Sequence, residues 1–309
     1  MRRKLLRVAQ WGFAIVVLAF ISYGLARQWP HVHNRLATLD IHWGTISLAS
    51  LLILGAYAVL IETWRRVLAA WDTELEWLDA ARIWFASSLG KYIPGNIWSV
   101  AALGVMAKES GASSVAAAGS SIIVTILNLI SGLAIVLVCG SRLVPHREIF
   151  VALAVASLGT AIAVPFLLPT LAAWLCRVTR RNIRLPQLPP ATIWLSLGGT
   201  TLAWIAYGIA FRLFAQGMLG NAAGSPPVLL YVAVYTGAYI LGFVTPVAPA
   251  GLGVREAGIV SGLVLFRLMG RDDAVIVALT SRLWLTILEV APGLIALAAN
   301  QTKTRTRQA

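Results

Sequence analysis

Five charged side chains sit inside stretches that are otherwise apolar: Lys91, Arg255, Glu256, Arg282 and Glu289. A charge at bilayer depth costs roughly 2.5 to 3.5 kcal/mol on insertion scales, so such residues turn to protein or to a polar cavity and need partners. Arg255 and Glu256 are adjacent, diverge on a helix and cannot serve one another. Arg282 and Glu289 are seven apart, which puts them on one helix face about 10 Å apart and out of direct contact. Glu256 suits Arg282, and either Arg255 or Lys91 suits Glu289. The residues leave that choice open. The chemistry on offer is anion binding: the planar fork of Arg255 can hold two oxygens of a phosphate, and it follows Gly251-Leu-Gly253, where a helix start would add amide donors. A structural ion pair with Glu289 is the alternative for Arg255, and snorkelling to the interface is the alternative for Lys91.

Two unusual segments must position these groups. Gly242-Phe-Val-Thr-Pro-Val-Ala-Pro-Ala-Gly-Leu-Gly-Val-Arg-Glu256 carries two prolines and several glycines between apolar runs, so a helix must stop, turn and restart near Val254. Ser87-Ser-Leu-Gly-Lys-Tyr-Ile-Pro-Gly-Asn-Ile-Trp98 repeats the theme upstream. Broken backbone at membrane depth is tolerated only where it is covered by protein or lines a cavity. The expected headgroup site therefore comprises Lys91, Pro94, Gly95, Asn96, Pro249, Gly251, Gly253, Arg255, Glu256, Arg282 and Glu289. Asn128, inside another apolar run, reads as a helix-packing hydrogen bond.

The chain has 309 residues, 59% of them hydrophobic and 12% charged, and its mean hydropathy is +0.80. That composition describes an all-α, multi-pass membrane protein. The net charge of +13 comes from short basic clusters at the ends of apolar runs, which reflects topology and not nucleic-acid binding. Cys139 and Cys176 support neither a disulfide framework nor a metal site. His31, His33, His42 and His146 have no companion ligands, and no nucleotide loop, nucleophile elbow or cofactor motif occurs, so no catalytic, metal or cofactor residues are assigned. The expectation is a protein that is not an enzyme; an intramembrane transferase using Glu256 or Glu289 as a base stays as an alternative.

About six full spans and two broken segments are expected. The spans are Val8–Leu25, retained rather than cleaved as a signal peptide, then Gly44–Ile61, Val115–Cys139, Ile149–Leu175, Ile193–Gly217 and Ala274–Ala299. The broken segments are Ala80–Ala107 and Val228–Met269. Glu62–Arg82 reads as a surface connection or interfacial helix, and the tract Pro186–Pro190 as a helix stop. With this arrangement fourteen Lys and Arg fall on one side and five on the other, the remaining six (Lys91, Lys108, Arg212, Arg255, Arg267 and Arg282) lying in or beside apolar runs, which places both termini in the cytoplasm. Each half reads span, span, broken segment, span, in opposite orientations. A single membrane domain over 1–309 thus divides into inverted repeats at 1–139 and 149–299, with a basic cytoplasmic tail at 300–309.

Lys91-Tyr-Ile-Pro-Gly-Asn-Ile-Trp98 and Pro249-Ala-Gly-Leu-Gly-Val-Arg-Glu256, in this order and setting, resemble the lysylphosphatidylglycerol synthase transmembrane family, over roughly Ile46–Ala299. The resemblance implies a flippase-like protein of the inner (plasma) membrane that translocates or presents a phospholipid or related amphiphile. Its partners would be membrane lipids, through a phospholipid headgroup, and enzymes of lipid biosynthesis. A non-catalytic subunit of a lipid- or glycolipid-modifying pathway is the alternative. The founding members add a soluble domain that transfers an amino acid from tRNA to lipid; the chain stops ten residues after its last expected span, so that transferase activity is not expected here.

Overall fold

Apolar side chains recurring at helical spacing set the architecture. In the first helix Ala49, Ile53, Ala56 and Leu60 form a buried stripe, while Leu48, Leu51 and Leu54 face outward, the pattern of a span with one face on protein and one on lipid. The computed structural model describes residues 41–92, 98–140, 148–149, 151–160, 162–163, 166, 170, 188–220, 227–245 and 249–306. Outside them lie the expected first span, His31, His33 and His146, the centres of both breaks at Pro94-Gly95-Asn96 and Pro246–Ala248, the basic cluster at Arg177–Arg184, and Cys176.

The described residues form helices α1 (Trp43–Ala69), α2 (Trp77–Ser88), α3 (Trp98–Glu109), α4 (Ser114–Gly140), α5 (Pro190–Leu219), α6 (Val228–Val244), α7 (Val254–Leu265) and α8 (Arg271–Thr306). Short 3-10 turns at Leu89–Tyr92 and Pro249–Gly251 follow α2 and α6. Among the described residues no strand occurs, and four helices are long and apolar enough to cross a membrane: Trp43–Ala69, Ala116–Gly140, Pro190–Leu219 and Arg271–Ile295. The chain is an all-α, multi-pass membrane protein. Of the expected fourth span, only an apolar helical piece, Val151–Thr160, and a few scattered residues are described.

Both broken segments are helical hairpins. The arms α2, α3 and α7 have 12 residues each, about 18 Å, and α6 has 17, about 26 Å, all short of a hydrocarbon core about 30 Å thick. The arms of each hairpin pack together, α2 on α3 and α6 on α7. The long helices bind them crosswise. Helix α4 packs on α3 and on α6, while α8 packs on α7 and on α2, and α1 and α5 pack against one another. Polar links join the long helices: Trp64 Nε1 donates to Ser120 Oγ at 3.2 Å, Ser131 Oγ to Thr200 Oγ1 at 2.9 Å, and Trp284 Nε1 to Ser50 Oγ at 2.8 Å.

Three boundaries differ from the sequence expectation. Helix α1 runs eight residues past Ile61, because Glu62 accepts from Arg65 and Arg66 at 2.7 to 3.0 Å, so the first eight residues of Glu62–Arg82 are its last two turns and Trp77–Arg82 opens α2. Helix α5 starts at Pro190, three residues before the expected Ile193, since the first helical position has no intrahelical use for an N–H. Helix α8 starts at Arg271 and continues through Thr306, so most of the expected basic tail is helical.

Candidate functional site

At the second break, Thr245 leaves α6 in extended backbone, and Ala250, Gly251 and Gly253 all take positive φ (49°, 69° and 82°) before α7 starts at Val254. Gly251 has a second constraint. A Cβ there would lie 2.7 Å from Gly242 Cα, so the turn can fold back onto α6 only because two glycines face one another. That closure sets Arg255 against α6. Gly90 does the same service at the first break, where a Cβ would meet the backbone of Trp98 and Ser99 at 2.8 to 2.9 Å. The 3-10 turn carrying Lys91 touches the turn Pro249–Gly251, so the two breaks meet.

Each break sends a charge to α8. Lys91 Nζ donates to Glu289 Oε2, and Arg282 Nη1 donates to Glu256 Oε1 at 3.2 Å. One carboxylate oxygen of Glu256 remains for the backbone: Oε2 accepts from Gly253 N at 2.6 Å, capping α7, where its charge also opposes the helix dipole. The expected opening of that helix start to a ligand is thus partly taken by the chain's own carboxylate. Glu289, 7% exposed, goes to Lys91 and not to Arg255.

Arg255 is also only 7% exposed. Its Nη2 donates to Tyr235 Oη at 3.0 Å, and its guanidinium lies 5.1 and 5.3 Å from the ring centroids of Tyr235 and Tyr239, a cation–π arrangement. Its Nε is buried without an acceptor. Twelve acidic residues occur in the chain, all but Asp40 are described, and among the described residues none pairs with Arg255.

These side chains line a cavity of about 200 Å³ bounded by both breaks, α1, α4, α5 and α8. Lys91, Arg255, Arg282 and Glu289 lie on its wall, and Glu256 stands behind Arg282. Gly253 and Glu256 are near neighbours of the wall through Arg255 and Arg282, whereas Pro249 and Gly251 serve as backbone of the turn. Asn128 lines the cavity too; its backbone carbonyl, not its side chain, accepts from Trp204 Nε1 at 2.8 Å. Lys108, Arg212 and Arg267 are not on the wall.

Sequence reasoning missed the aromatic side of the site. Tyr57, Tyr207, Tyr235 and Tyr239 line the cavity with Trp204; Tyr207 stacks on Tyr235 with centroids 5.8 Å apart, and Tyr57 meets Tyr207 edge-on at 5.9 Å. A partial signal existed. Tyr231, Tyr235 and Tyr239 recur every four residues in an apolar helix, hence on one face, where phenols need polar company. Nothing local links them to Tyr57 or Tyr207.

A prediction follows from the turn. Gly251→Ala should destabilise the protein by about 2 kcal/mol or more through backbone strain plus overlap with Gly242. Gly253→Ala, with positive φ but open space, should cost only about 1 kcal/mol. Thermal unfolding in detergent would compare them, and equal losses would mean that the Gly242–Gly251 contact does not hold the turn.

No curated protein matches the chain. Residues 7–293, nearly its whole length and reaching further toward the N-terminus than the two motifs do, match the family described as the lysylphosphatidylglycerol synthase TM region. The breaks that shape this cavity are the segments on which that likeness was first legible, and the chain belongs to that family.

Proposed function

We propose that the protein moves or presents a phospholipid or related amphiphile across the inner membrane, with the headgroup in the cavity between the two breaks and the acyl chains in the bilayer. One observation carries the reading: Arg255 is buried at the cavity wall, has no carboxylate partner among the described residues and leaves Nε without an acceptor. A buried cation in that condition is costly alone and fits an anionic ligand. Membership of a family named for lipid modification supports a lipid as that ligand. The crosswise packing of α4 and α8 on the two hairpins supports the inverted-repeat plan, in which sites lie where discontinuous helices meet. Against an intramembrane transferase stands the engagement of Glu256 and Glu289 in ion pairs, which leaves neither ready to act as a base.

The test is reconstitution of the purified chain in liposomes with labelled phospholipids. The label should change leaflet while the lipid stays chemically unchanged; a new covalent lipid product would overturn the reading. Orientation has its own test. With Cys139 and Cys176 replaced by alanine, a cysteine introduced near Arg180 should resist an impermeant thiol reagent in intact cells, and one near Asn221 should react. The opposite labelling would reverse the proposal that both termini are cytoplasmic.

A further inference from the structure

Arg255 is held at both ends of its side chain. At the backbone, α7 lies directly on α6: a Cβ at Gly258, one turn past Arg255, would meet Ala238 Cβ at 3.1 Å and Ala238 Cα at 3.2 Å. At the far end the guanidinium rests against the rings of Tyr235 and Tyr239 and donates from Nη2 to Tyr235 Oη at 3.0 Å. That is its one side-chain hydrogen bond among the described residues.

Tyr235 is itself immobilised, at 2% exposure. Tyr207 stacks on it with ring planes 21° apart, and Phe211 meets it with centroids 5.4 Å apart. Both rings come from α5, which approaches α6 so closely that a Cβ at Gly208 would lie 2.4 Å from Val232 Cα. Tyr207 also meets Tyr57 of α1 edge-on, and Tyr57 meets Phe85 of α2 edge-on at 5.5 Å. A run of ring contacts therefore extends from the first broken segment to the hydrogen bond on Arg255. The guanidinium is a planar fork on a flexible stem, and a two-pronged grip on an anion is cheapest when the plane is set in advance. Ring contacts hold the charge in place without choosing the rotation of that plane, whereas a hydrogen bond is directional.

Resting on the anion-binding role of Arg255 proposed above, we infer that Tyr235 is its positioning residue: the phenol oxygen, locked by Tyr207 and Phe211, sets the plane of the guanidinium so that its other N–H groups meet the ligand in one orientation. Tyr235 also lines the cavity, and because its oxygen accepts from Arg255 its own proton is left to donate elsewhere. Direct contact with the ligand is thus the competing role.

A double-mutant cycle on the purified full chain separates the two, read as transfer of labelled phosphatidylglycerol between the leaflets of phosphatidylcholine vesicles, per folded protein, beside thermal unfolding in detergent. Tyr235→Phe keeps the ring and its stacking and removes the acceptor; transfer should fall about tenfold, corresponding to about 1.4 kcal/mol, with little change in melting temperature. Tyr239→Phe takes a phenol from the same wall without touching the bond, and its loss should be several-fold smaller. Arg255→Lys has no fork to orient, so adding Tyr235→Phe to it should lower transfer no further. Losses that multiply to about a hundredfold in the double variant would make Tyr235 a ligand contact or a general support and overturn the inference. Normal transfer in Tyr235→Phe, or equal losses at Tyr235 and Tyr239, would overturn it as well. The lipid reading fails separately. If Arg255→Lys is impaired and Tyr235→Phe is not, positioning falls and the lipid reading stands. If the wild type retains the labelled lipid in native mass spectrometry but moves none, transport falls and the same cycle is read on retention. Neither transfer nor retention by the wild type, or normal values in every Arg255 variant, overturns both.

Discussion

Arg255→Lys is expected to lower lipid transfer by about tenfold while leaving thermal stability nearly unchanged, because lysine keeps the charge and loses the two-pronged grip on a phosphate. The structure makes the companion variants informative. If Arg255 were half of a buried ion pair with Glu289, Arg255→Ala would strand a carboxylate and Glu289→Gln would repair the damage. Glu289 is instead paired with Lys91, and Arg255 leans on Tyr235 and Tyr239. Arg255→Ala should therefore cost the protein only its contact with Tyr235 and the two rings, while transfer collapses. Adding Glu289→Gln should make stability worse, since it takes the carboxylate from Lys91. Normal transfer in Arg255→Lys, or rescue in the double variant, would show that Arg255 is scaffold.

Breaking one of the two ion pairs on α8 should have the largest effect on stability. Glu289→Gln leaves the Lys91 ammonium without its carboxylate in a half-buried position, and a loss of about 3 kcal/mol is expected, the lower end for a buried pair because Lys91 keeps 24% side-chain exposure. Lys91→Met leaves the more deeply buried partner, Glu289, uncompensated and should cost at least as much. The double change Lys91→Met with Glu289→Gln removes both charges and should recover most of the loss, although it loosens the first break from α8. Thermal unfolding in detergent of the wild type, the two single variants and the double variant completes the cycle. Simple additivity would mean that the two side chains do not depend on one another, and the link between the first break and α8 would have to lie elsewhere.

What could be read from residues alone was whatever local sterics and solvation decide. Two prolines and two glycines within eight residues, Pro246, Pro249, Gly251 and Gly253, strongly disfavour a continuous helix, and α7 does restart at Val254. Five charges in apolar stretches had to find company, since none can remain bare at that depth. The extension of α1 was legible as well, in the three- and four-residue spacing of Glu62 from Arg65 and Arg66, but the same charges also suit a surface connection and composition does not separate the two. Which charge meets which was decided by packing. Lys91 and Glu289 are 198 residues apart, and they meet because α8 lies against both α2 and α7, a choice no local rule makes. The same packing carries Tyr57, Tyr207 and Tyr235 from three helices into one wall and sets Arg255 there with no carboxylate partner among the described residues. Sequence determined that the helices break and that charge lies at the breaks; the tertiary arrangement decided which charge stays unmatched, because matching depends on distances between helices that the chain's order does not contain.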